Sequence, residues 1–296
     1  KYGRRKSNIK PYIGLSSQEN NGKIIVTRVS QDGPSYIAGI KANDIITSVN
    51  GNLVKNLKKF YEAVWATGNS GVSIKIGIQR NGKQINFDVK SIDRMDYFIK
   101  NDADSAWLNK WYKEFPQTKN KIVLTLPTRI SKWKGVDNFI ELISRLDGNV
   151  FHGLVVGPTS NSKLRYLNSL KKKISELGIN KSITFTGSRN DISNIYKISD
   201  IVFNLSIDPE PFGRTTIEAI SCGAKFIGWD HGGTKEILEE LFPNGLVPLG
   251  NINALEEKVI KVSDKNYLTP KENVFTSERM INETINLYHQ LLSTES

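Results

Sequence analysis

The spacing of apolar positions predicts a small, mostly β domain in residues 1–100. Runs such as GKIIVTRV and DIITSVNG are rich in β-branched residues and are bounded by turn sequences, which is typical of strands. The stretch VSIKIGIQRNGKQINFDV alternates apolar and polar positions on both sides of Asn81-Gly82, and this predicts a hairpin. NLKKFYEAVWATG instead has the apolar spacing of a helix, which we expect to be the principal helix of this domain. The apolar positions concerned are Leu57, Phe60, Tyr61, Val64 and Trp65.

Residues 101–296 follow a different pattern, in which apolar runs alternate with amphipathic stretches. Strands are predicted for KIVLTLP, FHGLVVG, SITFTG, DIVFNLS and KFIGWD, and helices for the stretches between them. This alternation indicates βαβ units and a parallel, doubly wound sheet. The expected fold is thus a small, mostly β domain at 1–100 followed by an α/β, Rossmann-like domain at 101–296. In such sheets ligands bind beyond the carboxyl ends of the strands.

Length and charge support this division. A chain of 296 residues is long enough for two domains, and a hydrophobic fraction of 38% is typical of globular proteins. Of the net charge of +11, residues 1–100 carry +10 (17 Lys and Arg against 7 Asp and Glu), which leaves +1 for the remainder. A basic surface can contact nucleic acid or a membrane, but a solvated basic face is the simpler interpretation. We expect no nucleic-acid partner, because Tyr2 is the only aromatic residue among the basic residues of the first ten positions.

Residue counts exclude further classes of function. No apolar run approaches the roughly 20 residues that span a bilayer, so we expect no transmembrane segment and leave only peripheral membrane contact open. The basic start KYGRRKSNIK lacks a following apolar stretch and is not typical of a secretory signal, which favours a cytoplasmic location. Cys222 is the sole cysteine, which excludes an internal disulfide. The chain has three histidines, and they are scattered along the sequence. One cysteine and three such histidines do not form a zinc site of the usual spacing, so we expect no bound metal.

Three segments of the first part resemble a PDZ domain of the type that follows the protease domain in HtrA-like serine proteases. They are YIGL, VSQDGPSYIAGIKANDIITSVNG and FYEAVWATGNSGVSIKIGIQRNGK, and the chain start is similar to the connector that leaves such a protease domain. The resemblance implies that a protein C-terminus adds as a strand between the 57–65 helix and a loop whose amides hold the carboxylate. By position, that loop is Tyr12, Ile13, Gly14 and Leu15. This ancestry would favour a periplasmic location.

In the second part, two loops that follow predicted strands offer cations and small polar residues. RISKWKG contains Arg129 and Lys134, two cations that could meet a diphosphate. TGSRNDI contains Gly187, Ser188 and Arg189, which could meet a base or a phosphate. Each loop alone is a weak signal, because surface cations and glycines needed for geometry are common in such loops.

Two further loops come from the stretch DPEPFGRTTIEAISCGAKFIGWDHGG. Gly213 precedes a predicted helix, so the amides of Gly213, Arg214 and Thr215 could present a helix N-terminus to a phosphate. Glu218 lies about one turn inside that helix and could accept hydrogen bonds from ribose hydroxyls, while Glu210 lies on the loop. The glycines of DHGG permit close backbone approach at the site. The acidic pair is read as one wall of a site for a phosphorylated ligand, with an ordinary surface helix as the alternative.

Taken together, these loops resemble the donor-binding half of a retaining GT-B glycosyltransferase of the nucleotide-sugar-using family 4 type. LPTRISKWKG, ITFTGSRNDI, SxxPEPFGRTTIEA, GWDHGGTKEI and NGLVPLGN follow the order of that family. The resemblance implies that Arg129 and Lys134 neutralise the leaving diphosphate, that Glu210 contacts the donor hexose, and that Glu218 binds the ribose. The other residues it assigns to nucleotide-sugar binding are Gly187, Ser188, Arg189, Phe212, Gly213, Arg214 and Thr215.

The resemblance implies a UDP- or GDP-linked sugar as donor, and Arg129, Lys134 and Glu210 as the catalytic residues. Charge develops on the diphosphate as it leaves, and fixed cations with a helix N-terminus stabilise it. This way of stabilising the leaving group needs no metal, so we expect no metal and no other cofactor.

A PDZ-like domain stands where such glycosyltransferases carry a second, acceptor-binding Rossmann-like half. We therefore expect this chain by itself to transfer sugar poorly, because an oriented acceptor can contribute roughly 7–11 kcal/mol to catalysis. The leading hypothesis is a nucleotide-sugar-binding, glycosyltransferase-type module joined to a domain that binds peptide C-termini. The alternative is a non-catalytic protein-binding scaffold that combines an HtrA-like PDZ domain with a decayed glycosyltransferase half.

Overall fold

A computed structural model of the chain describes residues 10–98, 103–264, 266–268, 270, 274–275 and 277–294. The basic cluster at residues 1–9, with the connector predicted there, lies outside this part. The chain divides into two compact units, Lys1–Tyr97 with Val274–Ser296, and Phe98–Asn273. The domain limits predicted above, 1–100 and 101–296, stay predictions.

The first unit is the small, mostly β domain that the apolar pattern predicts. Its elements are β1 (Leu15–Asn20), β2 (Lys23–Val29), α1 (Pro34–Ala38), β3 (Ile45–Val49), β4 (Asn52–Leu53), α2 (Leu57–Trp65), β5 (Ser73–Arg80) and β6 (Lys83–Lys90). The sheet is antiparallel in the order β1-β2-β3-β5-β6, with β4 paired to β3, so β1 lies at one edge. The predicted hairpin joins β5 and β6, where Asn81 and Gly82 adopt φ values of 51° and 77°.

Helix α2 covers the core of this sheet with one face, as its apolar spacing predicts. Asn56 caps its start by accepting a hydrogen bond from the amide of Lys59 at 2.8 Å. Phe60 and Val64 are buried in the core, whereas Trp65 is 45% exposed and stacks on Tyr61. The helix therefore presents aromatic side chains at the edge of the domain as well as apolar ones to its interior.

The second unit is the doubly wound α/β domain. Its elements are α3 (Ser105–Glu114), β7 (Ile122–Pro127), α4 (Val136–Arg145), β8 (Phe151–Val156), α5 (Leu164–Glu176), β9 (Ile183–Gly187), α6 (Ile192–Ile198), β10 (Ile201–Asn204), α7 (Arg214–Ser221), β11 (Lys225–Trp229), α8 (Gly232–Leu241), β12 (Leu246–Val247) and α9 (Ile252–Val262). All strand pairs are parallel, in the order β12-β11-β10-β7-β8-β9. Every residue of β8 is buried, which is expected of a strand covered on both faces.

The strand order places a crevice between β7 and β10. From β7 the chain winds outward through β8 and β9, then returns past β7 to β10 and winds outward in the opposite direction. The loops that follow β7 and β10 therefore leave adjacent strands at a point where the order reverses. Such a switch point is where ligands bind in open α/β sheets.

Two helices were not predicted from the sequence. Helix α3 packs Trp107 and Trp111 into the core, with ring centroids 5.2 Å apart, and Asp104 caps its start. Helix α10 (Ser277–Thr294) contains exposed apolar side chains such as Leu287 and Tyr288. Among the described residues no helix combines the length and the apolar character needed to cross a bilayer.

Candidate functional site

The loops that follow β7 and β10 are fastened to each other at the switch point. The amide of Ile207 donates a hydrogen bond to the carbonyl of Trp133 at 2.7 Å. Gly135 lies so close to the next strand end that a Cβ atom there would stand 1.8 Å from the carbonyl oxygen of Leu205. Its φ of +70° also favours glycine, so this position combines two reasons for having no side chain.

Lys134 and Glu210 form an ion pair across these two loops. The Lys134 ammonium donates to Oε1 of Glu210, and their side chains are only 14% and 19% exposed. The same oxygen accepts a hydrogen bond from the hydroxyl of Ser206 at 2.6 Å. The ammonium also lies 3.9 Å from the centroid of the Trp133 ring. The structure thus brings together two of the three residues predicted to be catalytic.

Glu210 is held in its ionised form by these contacts. Burial by itself raises the pKa of this carboxyl group, but hydrogen bonds from Lys134 and Ser206, the charge of Lys134, and a contact with Asn204 outweigh it, so the pKa lies below its ordinary value. An ionised carboxylate only accepts hydrogen bonds. Glu210 is therefore suited to accept hydrogen bonds from hydroxyl groups of a ligand, and it is unsuited to donate a proton at neutral pH.

A small pocket opens beside Glu210. It is lined by Asn204, Ser206, Glu210, Trp229, His231 and Thr234. The ring of His231 donates from Nε2 to the carbonyl of Ser206 at 2.8 Å, because a carbonyl oxygen can only accept. The amide of Asn204 donates to the hydroxyl of Thr234 at 2.8 Å. Apart from Glu210, none of these residues was given a role from the sequence, although Ser206, Trp229, His231 and Thr234 stand in the stretches SxxPEPFGRTTIEA and GWDHGGTKEI that carry the resemblance.

The start of α7 lies beside the start of α8. Gly213 precedes α7 with a φ of +68°, and a Cβ atom there would lie 3.1 and 3.2 Å from the hydroxyls of Thr234 and Thr216. The Thr216 hydroxyl is buried without a hydrogen-bond partner in the described part of the chain. The backbone amides of Gly213, Arg214 and Thr215 likewise have no hydrogen-bond partner among the described residues. Unpaired donors at a helix N-terminus favour an anion.

The glycines of DHGG allow the Glu210 loop to lie directly on α8. The amide of Gly233 donates to the carbonyl of Glu210 at 2.8 Å. A Cβ atom on Gly233 would stand 2.6 Å from Cα of Phe212, and one on Gly232 would stand 3.0 Å from backbone atoms of Glu210. The close approach predicted for these glycines therefore involves the loop that carries Glu210.

Among the described residues, the structure does not bring the remaining ones predicted to contact the donor into contact with the Lys134–Glu210 pair. Glu218 is only 6% exposed on the inner side of α7, whereas Arg129 is exposed just beyond β7. Arg189 pairs with Asp191 at 2.7 Å and with Glu114 at 3.0 Å, so its guanidinium is already engaged within the unit.

Beyond these, Gly187, Ser188, Phe212 and Arg214 are exposed, and Thr215 is half-buried. For these five residues, and for Arg129, Arg189 and Glu218, contact with a ligand stays a prediction. No group of side chains able to hold a metal ion is present among the described residues.

In the first unit, the predicted carboxylate loop is held by backbone hydrogen bonds and turns at Gly14. The carbonyls of Ile13 and Gly14 accept hydrogen bonds from the amides of Ser35 and Ser30, and Gly14 has a φ of +70°. The backbone amides of Ile13 and Gly14 have no hydrogen-bond partner within the described part of the chain. Beyond the loop, edge strand β1 faces α2, to which it is joined by the Ser17–Tyr61 hydroxyl contact at 3.3 Å.

Comparison with known families assigns both parts of the chain. Residues 109–282 match the family described as glycosyl transferases group 1, and residues 11–91 match the PDZ domain family. The PDZ resemblance and the glycosyltransferase resemblance seen in the sequence are thereby confirmed.

Three similar proteins each match part of the chain. Mannosylfructose-phosphate synthase of Agrobacterium fabrum is 34% identical over 122 residues, which make up 39% of this chain and 26% of that protein. The probable periplasmic serine endoprotease DegP-like of Rickettsia prowazekii is 29% identical over 115 residues, 38% of this chain and 22% of that protein. The crystal structure of a glycosyltransferase from Rickettsia africae has a TM-score of 0.52 at 30% identity, covering 57% of this chain and 44% of that one. The chain therefore spans less than half the length of each of these relatives.

Replacing Gly233 by alanine should destabilise the second unit, because the new methyl group would collide with the backbone of Phe212. We expect a loss of about 1–3 kcal/mol in the free energy of unfolding, the usual effect of overpacking a rigid contact. Urea denaturation followed by tryptophan fluorescence measures it.

The matched control is Gly148→Ala, whose Cβ would meet only the hydroxyl tip of Ser182, a side chain that can rotate away. It should change the free energy of unfolding by less than about 0.5 kcal/mol. Equal stability of the two variants would show that the Glu210 loop does not rest on α8.

Proposed function

We propose, from the premise that the chain belongs to the glycosyl transferases of group 1, that its second unit binds a nucleoside diphosphate sugar and stabilises the departing diphosphate. The observation that carries the proposal is the Lys134–Glu210 pair beside the unpaired amides at the start of α7. A cation, a carboxylate and a helix N-terminus meet at the switch point of the sheet. These are the groups that a sugar diphosphate requires.

Each group has a distinct chemical role in this proposal. The amides of residues 213–215 and the ammonium of Lys134 bind the diphosphate, whose negative charge grows as the bond to the sugar breaks. The ionised carboxylate of Glu210 accepts hydrogen bonds from hydroxyls of the hexose, and Glu218 accepts from the ribose. Arg129, which lies just beyond β7, adds a second cation for the diphosphate. The donor carries uridine or guanosine, and no metal is required.

Donor binding can be tested with UDP-glucose, GDP-mannose, UDP and GDP by isothermal titration calorimetry on the whole chain. We expect at least one of these ligands to bind, and Lys134→Ala to weaken it roughly 10- to 100-fold, because a hydrogen bond to a charged group is worth about 1.5–3 kcal/mol. Lys132→Ala is the control, since Lys132 is an exposed cation of the same short turn.

Two results would contradict the proposal. Binding of none of the four ligands at millimolar concentration would refute a donor site. Equal loss in the Lys132 and Lys134 variants would show that only the general positive charge of the turn matters.

We also propose that the first unit binds the free C-terminus of a protein. The support is the pair of unpartnered amides at Ile13 and Gly14, which adjoin an edge strand that faces α2. A peptide would extend the sheet along β1, and its carboxylate would accept hydrogen bonds from the loop of residues 12–15. The excess of basic residues in 1–100 favours acidic residues upstream of the terminus.

Peptide binding can be measured by fluorescence anisotropy with labelled peptides that end in valine or leucine. A peptide with a free carboxylate should bind at least about tenfold more tightly than its C-terminally amidated form. The amidated form has no negative charge to accept hydrogen bonds from the loop amides, and hydrogen bonds to a charged acceptor are the stronger kind. Affinity should fall as salt rises when acidic residues precede the terminus. Equal affinity of the free and amidated peptides would refute the assignment of residues 12–15.

A further inference from the structure

The position of Glu210 presents a physical problem that the structure solves with neighbouring residues. Glu210 lies between β10 and α7, in a loop without regular secondary structure, yet its carboxylate is mostly buried. A side chain on a loop loses conformational freedom when it is held in one orientation. Contacts from outside the loop must therefore supply the orientation.

Three strand ends converge on this carboxylate. Lys134 reaches it from the loop after β7, and Ser206 donates its hydroxyl from just beyond β10 at 2.6 Å. His231, just beyond β11, donates from Nε2 to the carbonyl of Ser206 at 2.8 Å. Ser206 is 3% exposed, and its amide donates to the side-chain oxygen of Asn204 at 3.1 Å. Hydrogen bonds thus hold both the amide and the carbonyl of Ser206, while its hydroxyl donates to Glu210.

The two residues that donate to Oε1 of Glu210 are not equivalent when a donor sugar binds. Lys134 and Ser206 both donate to Oε1. A diphosphate would compete with Glu210 for the ammonium of Lys134, since both are anions near one cation. The hydroxyl of Ser206 is neutral and has no such competitor, so it keeps hold of the carboxylate when the ammonium turns to the diphosphate.

We propose that Ser206 and His231 are positioning residues that keep Glu210 aimed at the hexose once the diphosphate has engaged Lys134. They act through Glu210 and touch neither phosphate nor base. The inference rests on the proposed donor-binding function. It adds that these two residues control how strongly the site prefers a nucleotide sugar over the same nucleoside diphosphate without its sugar.

The test compares two ligands on each variant of the whole chain by calorimetry, with UDP against UDP-glucose and GDP against GDP-mannose. Ser206→Ala and His231→Ala remove the two hydrogen bonds. Ser206→Thr and His231→Gln keep a hydroxyl and an N–H donor at the same places. Ser160→Ala is the control, because Ser160 is exposed and its hydroxyl contacts only that of Ser162 at 3.1 Å among the described residues.

We expect Ser206→Ala to lower the affinity for the nucleotide sugar about tenfold, the size of one hydrogen bond to a charged group, and to leave that for the nucleoside diphosphate within about twofold. His231→Ala should act in the same direction but less strongly, because it contacts Glu210 only through Ser206. Ser206→Thr and His231→Gln should restore most of the preference for the sugar-bearing ligand. A merely structural role would weaken both ligands alike and would not be rescued in this selective way.

The outcomes separate this inference from the proposed function. An unmodified chain that binds neither ligand of either pair refutes the proposed function and the inference together. A chain that binds both ligands but keeps its preference for the nucleotide sugar in Ser206→Ala and His231→Ala refutes the inference alone. Equal weakening of nucleotide sugar and nucleoside diphosphate by these variants refutes it as well.

Discussion

The ion pair between Lys134 and Glu210 is the interaction on which the rest of the candidate site depends. Both side chains are largely removed from water, and a buried charge without its partner is strongly destabilising. The loops after β7 and β10 must therefore stay at one fixed separation. The close backbone contact between Gly135 and Leu205, where no side chain fits, holds that separation, and the one between Gly233 and Phe212 holds the Glu210 loop against α8. The same pair keeps a cation and a carboxylate beside the amides that begin α7.

The two units use a common device for their proposed ligands. In each, a glycine with positive φ, Gly14 at 70° and Gly213 at 68°, turns the chain beside amides that have no partner among the described residues. Main-chain amides bind an anion without side-chain charge and are held rigidly by the fold. A peptide carboxylate would suit the first unit and a diphosphate the second. The neighbouring side chains then decide which ligand carrying that anion is preferred.

Local sequence patterns were sufficient to predict most strands and helices and the parallel, doubly wound sheet of the second unit, though not its strand order. They were insufficient for contacts between distant segments. Lys134 and Glu210 are 76 positions apart, and their pairing follows only from β7 and β10 being neighbours in the sheet. Arg189 illustrates the opposite difficulty, since its partner Glu114 lies 75 positions away on α3, a helix that the pattern did not reveal. Ser206 and His231 stand in the stretches SxxPEPFG and GWDHGG, but nothing in those stretches shows that the two residues contact each other.

Hydrogen–deuterium exchange with and without a saturating nucleotide sugar tests the central claim most directly, which is that the donor binds where the strand-end loops are joined by Lys134 and Glu210. The account predicts slower exchange in peptides that cover residues 129–135, 204–216 and 230–235. The amides of residues 213–215 should show the largest change, because they lack partners in the described part of the chain. Peptides of residues 10–97 should exchange as before. Protection that is absent from these three segments, or confined to residues 183–191, would contradict the account.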